Sequence, residues 1–86
     1  RYGGEEFGII LTNTNGDGAC VFAERLRKSI EHLTIYADAH EIKFTISLGV
    51  AELGDQTHDH RSWIEKADHA LYRSKETGRN RCTMLP

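Results

Sequence analysis

Proline is almost missing from this chain: the only one is Pro86, the last of its 86 residues. With no internal proline and no Gly/Ser-rich tract, nothing marks an interdomain linker. The chain reads as one small unit with one core. Long apolar runs are also missing. None approaches the roughly 20 residues needed to span a bilayer, and no secretory signal opens the sequence. No membrane contact is expected from this segment. Neither charge sign dominates: 11 basic and 13 acidic residues leave a formal charge of -2. That lacks the basic surface bulk nucleic-acid binding requires, and leaves room only for a local phosphate site. Cysteine is scarce. Cys20 and Cys82 have no metal-ligand spacing and read as reduced thiols of a cytoplasmic chain. An initiating Met is absent too. Arg1 runs almost directly into a strand-like stretch, which reads as a cut inside a larger protein.

What is present follows two periods. Phe7 to Leu11 (FGIIL) is a short apolar run, expected to form a strand buried on both faces. Asn13 to Gly18 (NTNGDG) is turn chemistry, and Thr14 with Asp17 fits a capping box. Ala19, Phe22, Ala23, Leu26, Ile30 and Leu33 then recur at helical spacing. Charges, including Arg25 and Arg27, take the face expected to be solvated. Ile42 to Val50 (IKFTISLGV) alternates with period two and predicts one half-buried strand. Leu33 to Ala37 is a candidate antiparallel partner, with Asp38 to Glu41 as the turn. A second helix is expected over Asp59–Thr77, with an apolar stripe of Trp63, Ile64, Ala67, Ala70 and Leu71 and a stop at Gly78. Trp63 and Tyr72 are expected to pack. Arg81 to Leu85 completes the pattern as a last strand. The order predicts an α/β sandwich with a central mixed β-sheet flanked by helices.

Two stretches carry candidate chemistry. The first is the opening RYGGEEF. Gly3 and Gly4 sit where a tight hairpin needs positive φ, and a plain turn with solvated acids is one reading. The other is a nucleotide site. Glycines admit a phosphate close to the backbone, and the adjacent carboxylates Glu5 and Glu6 point to opposite sides of an extended chain. Magnesium favours such oxygens together with substrate phosphates. The second stretch is SKETGRNR, residues 74–81. Lys75 and Arg79 stand four apart at a helix end. They either cap the helix dipole or, with an acidic metal turn nearby, clamp a triphosphate.

RYGGEEF closely resembles the signature of GGDEF domains, the bacterial diguanylate cyclases. FTISLGVA at 44–51 resembles that family's central strand. ADHALYRSKETGRNR at 67–81 is similar to its last helix and following turn. The likeness covers essentially the whole chain and implies the nucleotide-cyclase-like GGDEF fold. Residues 1–86 would then be the C-terminal portion of a single GGDEF domain, truncated on its N-terminal side. The resemblance implies that the parent condenses two GTP into cyclic di-GMP and two pyrophosphates. It implies a catalytic homodimer with one GTP per domain, and Mg2+ or Mn2+ bridging the phosphates. It assigns Glu5 as catalytic group and metal ligand, Glu6 as a further metal carboxylate, Gly3 and Gly4 as the nucleotide approach, and Lys75 and Arg79 as phosphate contacts. Location would be cytoplasmic, including the cytoplasmic part of an inner-membrane protein. The family's guanine-reading residues, a further metal-binding Asp and the product-inhibition motif belong upstream of Arg1. The 86 residues alone are therefore expected to be inactive and to leave a strand edge open to self-association. The competing expectation is a catalytically silent GTP-binding module that regulates an attached domain.

Overall fold

The computed structural model describes residues 6–53 and 59–85. The expected glycine hairpin, with Gly3, Gly4 and Glu5, lies outside them, as does most of the loop after Leu53.

Helix α1 spans Gly16–Glu31. Its N-cap is Asn15, whose Oδ1 accepts from the Gly18 N–H at 2.8 Å. The Thr14 hydroxyl turns back to the Thr12 carbonyl instead, at 2.9 Å. The cap therefore sits one residue beyond the expected capping box, with the shorter Asn side chain reaching the helix amide. Asp17 still occupies the first turn, where the helix dipole favours a negative charge. The Gly16 N–H donates to the Glu52 carboxylate and ties the helix start to the segment after the third strand.

Strands β1 (Ile35–Ala37) and β2 (His40–Ile42) form an antiparallel hairpin, with Ile35 opposite Ile42. The turn residues Asp38 and Ala39 have φ of 50° and 70°, the left-handed pair a two-residue hairpin demands. This hairpin was legible in the sequence. The single strand expected over 42–50 is not formed. Its two ends find different partners: β2 pairs with β1, whereas β3 (Leu48–Val50) runs parallel to β4 (Cys82–Met84). Residues 43–47 join the two sheets.

FGIIL forms no strand either, and is not buried: Phe7 and Ile10 are each 73% exposed. A strand needs a neighbouring backbone as well as apolar side chains. Among the described residues, none of the four strands lies beside it. Phe22 and Leu33, assigned to the buried stripe of α1, are also exposed.

Helix α2 spans His60–Glu76, within a residue of expectation at either end. Asp59 caps it, Oδ1 accepting from the Ser62 N–H at 2.7 Å. Both helices pack on the β3–β4 pair. The contact is built from small residues: Ala23 of α1, and Ala70 and Ser74 of α2, are buried. Gly49 explains how closely α2 sits on β3. A Cβ there would run into the Ala67 carbonyl oxygen and the Leu71 backbone. Ser74 Oγ lies 2.7 Å from both Leu48 O and Thr83 Oγ1. With one hydroxyl proton, it donates to the carbonyl and accepts from Thr83, so one buried polar atom joins α2 to both strands. Trp63 is half-buried, and its indole N–H donates to Ala51 O at 2.8 Å. Tyr72, expected to pack, is 66% exposed.

The arrangement is α/β, with two helices on a parallel strand pair. The expected mixed sheet is replaced, among the described residues, by separate parallel and antiparallel pairs.

Candidate phosphate and carboxylate site at the end of the second helix

The packing of α2 fixes where its C-terminal end points. Ser74 is locked under β3 and β4, so the next residue, Lys75, turns outward. Beyond Glu76 the chain leaves the helix through Thr77, whose N–H and hydroxyl both reach Arg73 O, at 3.0 and 2.7 Å. Gly78 follows with φ of 131°, a conformation suited to glycine. The Arg79 N–H then returns to Ser74 O at 2.8 Å. This six-to-one bond is the closing bond of a Schellman-type helix end. It satisfies a helix carbonyl and fixes the Arg79 backbone against the terminus.

Lys75 Nζ lies 3.6 Å from Glu6 Oε2, with both side chains part-exposed. The second signature carboxylate thus meets the basic helix end across a sequence separation that spacing alone could not bridge. Gly3, Gly4 and Glu5 lie outside the described residues. Arg79 does not stand in helical register with Lys75. The helix ends at Glu76, and Arg79 is in the left-handed region with φ of 62°. The pair shares a helix end through the closing bond rather than through a helical face. The Arg79 side chain is exposed, and among the described residues it forms no ion pair. Two cationic groups therefore flank one carboxylate, a distribution suited to an anion carrying a hard cation. No group of three metal-ligating side chains is found among the described residues.

Asn80, unremarked in the sequence, is the most heavily bonded residue of this turn. It too is left-handed, with φ of 47°. Its Oδ1 accepts from Arg27 Nη1 at 2.9 Å, its Nδ2 donates to Glu31 Oε2 at 2.6 Å, and its backbone N–H donates to Ser47 Oγ at 3.1 Å. Arg27 is accordingly not on a solvated face. Its side chain is 13% exposed and also holds Glu24, through Nε at 3.0 Å and Nη2 at 2.6 Å. The i, i+3 and i, i+4 acids around Arg27 were visible as a helix-face pattern. What the sequence could not show was that Asn80 completes it. The carboxyls respond to these bonds. Glu31 is held below the usual range chiefly by the Asn80 amide, and Glu24 chiefly by Arg27.

On the opposite side of the β3–β4 pair from this turn's chemistry, the two thiols come together. The Cys82 thiol is pushed up to about 11, first by burial and then by the neighbouring Cys20. Both cysteines are free.

Comparison with known proteins assigns these features a common background. The family model described as diguanylate cyclase, GGDEF domain, matches residues 1–81. Diguanylate cyclase A of Treponema denticola is 48% identical over 84 residues, covering 98% of this chain and 23% of that protein. A diguanylate cyclase of Vibrio cholerae is 39% identical over 83 residues, covering 95% and 25%. Diguanylate cyclase DgcZ of Escherichia coli is 36% identical over 86 residues, covering 99% and 28%. The chain thus spans about a quarter of the length of each of these relatives.

Proposed function

Because this chain belongs to the GGDEF domain family of diguanylate cyclases, we propose that it is the C-terminal portion of one GGDEF domain whose parent condenses two GTP into cyclic di-GMP and two pyrophosphates. The observation that carries the reading is the approach of Lys75 to Glu6 at 3.6 Å. It unites the signature with the basic end of α2, the two stretches whose chemistry fits a metal-bound triphosphate.

In this reading Lys75 and Arg79 neutralise phosphate oxygens, with Arg79 offering a planar fork and Lys75 a point charge. Glu5 receives the proton of the attacking 3′-hydroxyl oxygen, and Gly3 and Gly4 leave the backbone open to the nucleotide. Glu5 and Glu6 would hold Mg2+ or Mn2+. Glu6 fits, being a hard oxygen donor beside the phosphate-facing cation, and phosphate and water oxygens would complete the shell. When bound, the metal supplies charge neutralisation on the transferring phosphoryl group. Each hydroxyl belongs to the other nucleotide's partner, so the reaction needs two domains face to face, one GTP in each, in a cytoplasmic homodimer.

The test is GTP binding and turnover by the full-length parent. A Lys75→Ala, Arg79→Ala double variant is expected to lose GTP affinity while retaining its fold. Unchanged affinity in that variant contradicts the site. GTP binding by the parent without cyclic di-GMP formation favours a silent regulatory module instead.

A further inference from the structure

The turn that carries Arg79 is held in an uncommon backbone state. Arg79 and Asn80 are consecutive left-handed residues, with φ of 62° and 47°. Asparagine tolerates that region. Arginine does so at a cost of about 1 kcal/mol or more, and such a state persists only where the surroundings over-determine it. The surroundings here are specific. Asn80 is bonded through its amide oxygen to Arg27, through its amide nitrogen to Glu31 and through its backbone to Ser47. Arg27 is fixed in turn by Glu24 at 2.6 Å and faces Glu31 at 3.6 Å. On the other flank, Arg81 Nε donates to Arg79 O at 3.0 Å, and its guanidinium lies over Gly78 where a Cβ would collide. Every hydrogen-bonding group of the Asn80 side chain is thus spent within the protein, whereas the Arg79 side chain is left facing solvent.

We propose that Arg27, Glu31 and Asn80 form a positioning device, anchored on α1, that sets the direction of Arg79 and thereby the site's preference for a triphosphate over a monophosphate. The inference rests on the proposed phosphate role of Arg79. The three residues touch no ligand; they act through the turn. Arg27 cannot be replaced by lysine in this role, because a single ammonium does not present the planar fork that meets Glu24 and Asn80 together.

The experiment measures affinities of the full-length protein for GTP and for GMP, each with magnesium, together with thermal stability. Asn80→Gly keeps the left-handed backbone accessible but removes the amide. It is expected to weaken GTP binding about tenfold, the scale of effect of a misplaced binding group, and to leave GMP binding unchanged. Glu31→Gln keeps an acceptor for the Asn80 amide and is expected to retain the GTP-to-GMP ratio, whereas Glu31→Ala and Arg27→Lys lower it. A merely structural role predicts lower stability and equal losses for both nucleotides, and that result overturns the proposal. So does a normal ratio in Asn80→Gly. Arg79→Ala separates the two levels. If it lowers GTP affinity and Asn80→Gly does not, the positioning device alone fails. If Arg79→Ala has no effect, the phosphate role fails and the device with it.

Discussion

Lys75 Nζ and Glu6 Oε2 stand 3.6 Å apart, joining the signature acid to the helix that follows the central strand by 69 residues of chain. Part-exposed pairs of this kind contribute little to stability, about 0–1 kcal/mol. The pair's value lies in placement. It puts a mobile cation beside an oxygen donor where a phosphate and its metal would compete for both. Lys75→Ala is therefore expected to leave the melting temperature nearly unchanged. It is expected to weaken GTP binding on the order of tenfold, as loss of one charge-assisted contact does. Thermal melts and calorimetric titration check the two halves separately.

Gly49 makes a prediction of the opposite kind. Gly49→Ala places a methyl group against the backbone of Ala67 and Leu71, which cannot rotate away. Overpacking typically costs about 1–3 kcal/mol, and the high end is expected here because both neighbours are main-chain atoms. Urea denaturation of the variant should show a lower midpoint with an unchanged slope.

Cys82 should be inert. Its thiol is pushed up to about 11 by burial and by Cys20, so it stays protonated through the physiological range. The thiolate is the reactive form. Maleimide labelling of the native protein at pH 8 is expected to modify Cys20 well before Cys82. Unfolding in denaturant should abolish the difference.

Acid should destabilise the caps and the Asn80 network together. Asp59 is held low first by the Ser62 N–H, Glu31 by the Asn80 amide and Glu24 by Arg27. Each carboxyl is lower in the folded state than its ordinary value of 3.8 for Asp or 4.5 for Glu. Their stabilisation is therefore full above that range and is lost as pH falls through the lowered folded values. Melting temperature should be flat from neutral pH down to about 5 and drop below it. Glu31→Gln should show a shallower drop.

The residues that were legible from sequence alone are those whose partners lie close in the chain. The Ile35–Ile42 hairpin announced itself through its left-handed turn, and α2 through Asp59, its apolar stripe and Gly78. FGIIL and the 42–50 run failed for a shared reason. Side-chain pattern gives a candidate strand its faces, but only a neighbouring backbone makes it a strand, and the sequence does not say where that neighbour lies. The site divides in the same way. Lys75 and Arg79 were conspicuous as cations at a helix end. Asn80 was not, because its importance comes from Arg27 and Glu31, about 50 residues earlier in the chain.

The most direct test of the central claim is the product formed from GTP and magnesium by the full-length parent, identified by mass, with and without Glu5→Ala. Cyclic di-GMP from the parent and none from the variant is the predicted result. Undiminished cyclic di-GMP from Glu5→Ala, or GTP bound by the parent and left unconverted, would contradict it.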